Sequence, residues 1–280
     1  MPDHLRQNII FLRQATNRFL LTGEILHRTI AAALERPSPD VPVRLANLIN
    51  SAWEEFSRRV EFSRQKKFLY QDKQDPDFTI LWESVYEVPL TAALLARCYH
   101  KLRSALQNFW KLSRTEHICG LPAKSVLEKE RLDSFEFQGA KLWGKIDLLY
   151  HDGGRYHLVD WKLSRFDKNA DALQLAVYAL QITERHHINP DSLELVNVYL
   201  LEKEEARYPA DAQMLSEAGL YIKNSLDLMA AAEKEWRRQG LRAFPVKFRP
   251  QSCRYCNFRN ICFPEGLPFR KRERRTEHQI

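Results

Sequence analysis

Long apolar runs are missing from this chain of 280 residues. None approaches the roughly 18 consecutive apolar residues that a membrane-spanning helix needs, so no membrane role is expected. The opening Met1-Pro2-Asp3-His4-Leu5-Arg6 lacks the profile of a secretory signal. Cysteine is scarce and odd in number, five in all with three near the C-terminus. That usage argues against a disulfide framework and for a reducing, cytoplasmic setting. What remains is ordinary for a globular protein, 44% hydrophobic and 28% charged. The length is enough to bury a large core, and suits one elaborated domain better than two independent ones. A net charge of +7 tilts toward a polyanionic partner without deciding the matter.

Chemistry concentrates in Gly144-Lys145-Ile146-Asp147-Leu148-Leu149-Tyr150 and Tyr156-His157-Leu158-Val159-Asp160-Trp161-Lys162. Both stretches read as strands, rich in aliphatic, aromatic and β-branched residues. Between them Gly153-Gly154 marks a tight hairpin turn. Antiparallel pairing across that turn brings Asp147 and Asp160 to neighbouring positions. Lys162, two residues beyond Asp160, shares its face. Each aspartate is embedded in an apolar run, where a carboxylate is costly unless paired or metal-bound. Mg²⁺ prefers oxygen ligands, commonly one or two carboxylates plus water and phosphate. A bound cation polarises a phosphoryl oxygen and lowers the pKa of water, and a nearby lysine stabilises charge developing on phosphate. The bland alternative is two solvent-side aspartates on an ordinary hairpin.

The flanking segments are read in the same way. Residues 4–34 show a helical pattern that leaves room for a break near Gly23. Pro37 to Pro42 reads as a surface loop. Residues 43–70 read as a helix whose basic side carries Arg58, Arg59, Arg64, Lys66 and Lys67. That side is either a solvated face or a wall touching phosphates. Residues 85–112 form another helical pattern, with Cys98 read as a buried small hydrophobe. Residues 124–138 read as a strand on which Glu128 and Glu130 share a face. A helix at about 170–185 is expected to bury Leu173, Val177 and Leu180, and Gln174 and Tyr178 share a face beside that stripe. A buried strand at 193–203 and a helix at 211–237 follow, the latter with Leu215, Ile222, Leu226 and Met229 at helical spacing. Gly139-x4-Gly144-Lys145 imitates a phosphate-binding loop, but Ile146 replaces Ser or Thr and a strand follows where a helix must open. An NTPase reading is rejected, so no helicase motor is expected.

The tail contains Cys253-x-x-Cys256-x5-Cys262 in an aromatic-rich stretch. Three thiols at that spacing suggest a metal or cluster site, against the plainer reading of packing thiols. Arg270-Lys271-Arg272-Glu273-Arg274-Arg275 reads as part of a basic, disordered tail over 266–280 that adds nonspecific affinity for nucleic acid.

Taken together, Gly144-x-x-Asp147, Asp160-Trp161-Lys162 and Gln174-x-x-x-Tyr178 resemble the PD-(D/E)XK nuclease superfamily. They are closer still to its RecB-like branch, which includes RecB and AddB nuclease domains and CRISPR-associated adaptation nucleases. Gly23-Glu24-Ile25-Leu26-His27 resembles the branch's early Gly-x-x-x-His helix, and the three tail cysteines its C-terminal cluster. The resemblance runs from about residue 20 to 264.

It implies a restriction-endonuclease-like α/β core with a mixed sheet flanked by helices. Residues 1–265 would form one nuclease-like domain: a helical part to about 120, a catalytic core over 124–238, and a cysteine cluster at 244–264. It implies Mg²⁺- or Mn²⁺-dependent hydrolysis of DNA, on single strands or ends, in repair or recombination. Asp147, Asp160 and His27 would hold the metal, with Glu130 as a supporting ligand. Lys162 would position or activate water, and Gln174 and Tyr178 would orient DNA or metal-bound water. The cysteines would hold a [4Fe–4S] cluster, yet the relatives' fourth cysteine, which precedes the Gly-x-x-x-His helix, has no counterpart here. A longer N-terminus, substitution by Cys98 or Cys119, or decay of the cluster would each account for that, and zinc is a further option. Rival readings are a noncatalytic DNA-binding or scaffold subunit, a CRISPR-adaptation nuclease, and a nuclease that works beside a separate helicase.

Overall fold

Gly153 and Gly154 both adopt positive φ, 57° and 86°, the backbone that a two-residue hairpin turn demands. They join strands Ala140–Asp152 and Arg155–Lys162. The computed structural model describes residues 3–35, 41–164 and 168–267. Helices α1 (Asp3–Arg13), α2 (Arg18–Glu35), α3 (Val41–Arg64), α4 (Trp82–Val85), α5 (Ala92–Lys111) and α6 (Ser113–Gly120) come first. Strands β1 (Val126–Phe137), β2 (Ala140–Asp152) and β3 (Arg155–Lys162) follow, then α7 (Lys168–His186), β4 (Leu193–Tyr199) and β5 (Glu204–Pro209). Helices α8 (Ala212–Gln239), α9 (Pro250–Arg254) and α10 (Arg259–Cys262) close the described chain.

The strands form one mixed sheet in the order β1-β2-β3-β4-β5. All neighbours are antiparallel except β3 and β4, which run parallel and are joined through α7. A parallel neighbour needs such a crossover, and this one lays α7 against the sheet. Leu175, Ala179 and Ile182 of α7 pack on Ile146, Leu149, Leu158 and Leu195. On β3, Trp161 alternates with Asp160 and Lys162 and meets Phe109 of α5 edge to face, centroids 5.3 Å apart. The restriction-endonuclease-like α/β class is therefore present: a mixed sheet flanked by helices.

The chain divides into two compact units. One draws on residues 19–58 and 90–231 and contains the whole sheet. The other draws on residues 1–18, 59–89 and 232–280. In the latter, Thr16 bridges to Leu81, its N–H donating to Ile80 O at 2.9 Å and its carbonyl accepting from Trp82 N at 2.6 Å. The buried Arg18 guanidinium donates to Glu83 at 2.8 Å.

Several sequence readings need correction. The break in the N-terminal helical segment falls at Gln14–Asn17, where Thr16 makes its bridge, and Gly23 lies inside α2. Val41 and Pro42 belong to the first turn of α3; the rest of the expected loop lies outside the described residues. The basic side of α3 is not one solvated row, because Arg59 is buried and donates to Thr79 Oγ1 at 2.7 Å. Arg64 and Lys66 pair with Glu61 and Glu87. The core side of α7 is Leu175, Ala176, Ala179 and Ile182 in place of Leu173, Val177 and Leu180. Met229 of α8 is 66% exposed, so the buried stripe of that helix ends before it. Arg270 to Arg275 lie outside the described residues.

Candidate active site

The β2–β3 ladder runs from Asp152↔Arg155 to Leu148↔Val159 and stops there. The next positions in register are Asp147 and Asp160, as the hairpin spacing predicts. Backbone pairing gives way to side-chain chemistry: Asp147 Oδ2 accepts from Trp161 N at 2.8 Å. On the other neighbour, the β1–β2 register sets Glu130 opposite Asp147, and Glu130 leaves the regular ladder with φ 47°. A bulge between Val126 and Glu128 precedes it. The positive φ at Glu130 breaks the alternation that would put the two glutamates on one face. Glu130 turns to the site, whereas Glu128 is buried against α7, accepting from Arg185 Nη1 at 2.8 Å and pairing with His186 at 2.6 Å.

His27 arrives from α2. Its Nδ1 lies 2.8 Å from Asp147 Oδ1 and 3.4 Å from Glu130 Oε1. His27, Glu130 and Asp147 can each offer a ligand atom, all within 4.8 Å of one another, the one such trio among the described residues. Glu130 also pairs with Lys145. Asp160 stands beside this trio, with Oδ2 2.8 Å from Lys162 Nζ. Gln174 Oε1 accepts from Lys162 Nζ at 2.5 Å, and its Nε2 donates to Tyr178 Oη at 2.9 Å. The same Nε2 is 3.4 Å from Asp160 Oδ1. All seven residues expected here, His27, Glu130, Asp147, Asp160, Lys162, Gln174 and Tyr178, are brought together.

Two side chains that the sequence did not single out complete the arrangement. Asp171 Oδ1 lies 3.5 Å from Lys162 Nζ, and Asp171 Oδ2 accepts from Tyr199 Oη at 2.6 Å. Asp171 is three residues before Gln174, so one turn of α7 delivers both to the lysine. Gly144 shows why that motif begins with glycine. A Cβ there would collide with Gln181 Oε1 and meet Tyr178 Cδ1 at 3.3 Å.

The electrostatics are those of a site short of positive charge. Burial works against a charged His27, but hydrogen bonds and charge from Asp147 and Glu130 outweigh it and raise its pKa to about 10. Burial, then the charge of Asp147, pushes Asp160 up to about 7, against the pull of Lys162. Asp147 is raised by burial, with His27 and the Trp161 N–H opposing. Burial disfavours a charged Glu130, yet His27 and Lys145 hold it below its ordinary range. Both Glu130 oxygens and Asp160 Oδ2 are buried without a well-formed hydrogen bond. Buried carboxylate oxygens of this kind fit a hard divalent cation, and the trio supplies the donor set for one.

The tail cysteines occupy the other unit. Cys253 Sγ accepts from Arg249 N at 3.3 Å and Cys256 Sγ from Phe258 N at 3.4 Å. Burial, followed by the neighbouring thiols Cys256 and Cys253, raises Cys262. The loop is tied down by Trp82 Nε1 donating to Cys256 O at 3.3 Å and Asn257 Nδ2 donating to Ala15 O at 2.7 Å. The three sulfurs do not form a cluster within 4.8 Å, so they are not gathered at the spacing of tetrahedral zinc. Cys98 is buried, as expected of a core residue.

No helix among the described residues is long and apolar enough to cross a membrane. None of the curated proteins matches the chain. A solved structure described as "Crystal structure of SSO0001" is 17% identical, with a TM-score of 0.30, over 89% of this chain and 98% of its own. At that score the likeness carries no weight for fold or function. The family comparison is of another order: the model of the PD-(D/E)XK nuclease superfamily matches residues 3–263. With the sheet and the convergent carboxylates and lysine in place, the chain belongs to the PD-(D/E)XK superfamily of metal-dependent nucleases.

Proposed function

We propose that the protein is a Mg²⁺- or Mn²⁺-dependent deoxyribonuclease of the RecB-like branch, acting on single strands or DNA ends in cytoplasmic repair or recombination. The observation that carries this reading is the junction of two sets. His27, Glu130 and Asp147 form a cation-ready trio, and Asp160 links it to a lysine held by Gln174 and Asp171. The trio and Asp160 would hold the cation, which on binding supplies a more acidic water and a polarised phosphoryl oxygen. Lys162 Nζ, which donates to Gln174 and is ion-paired with Asp160 and Asp171, keeps N–H capacity for a non-bridging phosphate oxygen or the attacking water. Tyr178 and Gln174 orient that lysine and the strand entering beside it. The family match spans segments of both compact units, which supports treating residues 1–265 as one nuclease module.

The tail cysteines are proposed to hold a [4Fe–4S] cluster whose fourth ligand is unidentified. Two of the three sulfurs already accept backbone N–H groups, the kind of hydrogen bonding that tunes such clusters. Anaerobic purification followed by iron and zinc analysis tests this, and metal-free protein would refute it. Partnership with a separate helicase is part of this reading, and a pull-down from native cells tests it.

The primary test is cleavage of end-labelled single- and double-stranded DNA with Mn²⁺ or Mg²⁺. Wild type should cut, and Lys162→Ala and Asp160→Ala should not, while Lys162→Ala still binds DNA. A wild type that binds DNA and never cuts would transfer support to a noncatalytic binding subunit.

A further inference from the structure

The β1–β2 hairpin extends beyond the metal trio, and its two faces differ. One face is covered: Gly144 packs against Tyr178 and Gln181 of α7, and Phe137 meets Gly219 of α8. On the other face the register sets Leu132 opposite Lys145, Ser134 opposite Trp143 and Glu136 opposite Lys141. This face starts at the site, because Lys145 pairs with Glu130, itself 3.4 Å from His27. Outward from there Trp143 is 63% exposed and Leu132 61% exposed. Lys141 Nζ lies 4.9 Å from the Trp143 ring centroid.

A strand face open to water ordinarily carries polar side chains, so an indole and a leucine in diagonal positions need an explanation. Core packing does not supply one, because the hairpin buries its opposite side. We infer that this face binds an unpaired stretch of DNA leading into the metal site, with one base stacked on Trp143 and its phosphates beside Lys141 and Lys145. Three observations favour this occupant over an apolar protein surface. The patch is continuous with the cation trio. It is flanked by Lys141 and Lys145, with Glu136 and Glu130 the acids on the same face. Its single large aromatic has the π-face and neighbouring cation that sequence-tolerant single-strand binding uses.

The inference rests on the nucleic-acid reading above and sharpens its substrate class. A base inside a duplex has both faces covered by its neighbours and has none to offer Trp143. A strand that stacks on Trp143 on its way into the metal site needs an unpaired base, which makes a single-stranded tail the preferred substrate.

The test is fluorescence-anisotropy binding by the full chain without divalent metal, so that nothing is cut. The probes are a labelled single strand, a blunt duplex, and the same duplex with a single-stranded tail. Trp143→Ala should weaken single-strand and tailed-duplex binding roughly tenfold and leave the blunt duplex within about twofold. Trp143→Phe should recover most of the loss, and Lys141→Ala should weaken binding and flatten its salt dependence. Unchanged single-strand binding by Trp143→Ala, or equal loss on all three probes, would overturn the inference. Wild-type hydrolysis of a small chromogenic phosphodiester with Mn²⁺ tests the catalytic reading independently. Selective loss of single-strand binding in Trp143→Ala with no hydrolysis by wild type leaves the strand site standing and removes catalysis. The reverse pattern does the opposite.

Discussion

The carboxylate site and the cysteine-bearing tail of this protein are built on opposite plans. The carboxylate site gathers His27 from α2, Glu130 from β1, Asp147 from β2 and Lys162 from β3, and fixes each by buried hydrogen bonds or ion pairs. The cysteine loop is local, with all three thiols between residues 253 and 262 and its sulfurs not yet converged. Hard oxygen ligands carry charge that must be balanced in the interior whether or not a cation is bound, so the fold builds their surroundings in advance. Thiols are neutral until they are deprotonated by a metal, and a short loop has few means of pre-aiming them. One set of ligands is preformed; the other would have to be gathered by a metal.

That contrast can be broken or sharpened by experiment. The largest effect should come from Lys162→Ala, which removes the ammonium group proposed to meet the phosphate and should slow single-turnover DNA cleavage by roughly 10²–10³-fold. Retained speed would mean that the lysine is only a counter-ion of Asp160. Asp171→Asn leaves Lys162 in place but loosens it, and a decrease on the order of 10–100-fold in turnover at unchanged DNA affinity is expected. Tyr199→Phe should give a milder version of that decrease, since Tyr199 reaches the lysine only through Asp171.

The pH dependence follows from His27. In metal-free protein its proton adds stability that is complete below about pH 6.5 and is lost as pH rises through about 10. A cation must displace that proton, so Mn²⁺ affinity should climb over the same window, with a first rise near pH 7 as Asp160 ionises. Calorimetry in buffers of different ionisation heat would register the released protons. Gly144→Ala should cost about 1–3 kcal/mol by driving a methyl group into Gln181 and Tyr178, a fall of several degrees in Tm. The smallest effect should be that of Cys253→Ser on the carboxylate site. Calorimetric Mn²⁺ binding should be unchanged even if iron or zinc is lost from the tail, and a large change would tie the two clusters together.

How far the sequence went can be judged residue by residue. Asp147, Asp160 and Lys162 were legible because strand period and hairpin register are local rules, and Gln174 and Tyr178 because one helical turn separates them. Glu130 was ambiguous because its positive φ, which no residue identity announces, decides which glutamate turns to the site. Asp171, Tyr199 and Gln181 were missed because their roles arise only when α7 packs on the sheet. The core side of α7 was misread for a related reason. Leu173-Val177-Leu180 and Leu175-Ala179-Ile182 have the same helical spacing, and the tertiary partner chooses between them. The split into two interleaved units has no compositional mark at all.

The hydrogen bond between His27 and Asp147 spans 120 positions of the chain. A growing polypeptide therefore cannot assemble the trio until β2 has been made, nor brace Lys162 through Asp171 until Tyr199 on β4 has followed. Contacts this distant in sequence form late. A fragment that ends before β2 holds His27 and Glu130 without Asp147, and the cation trio with its braced lysine is a property of the nearly complete sheet.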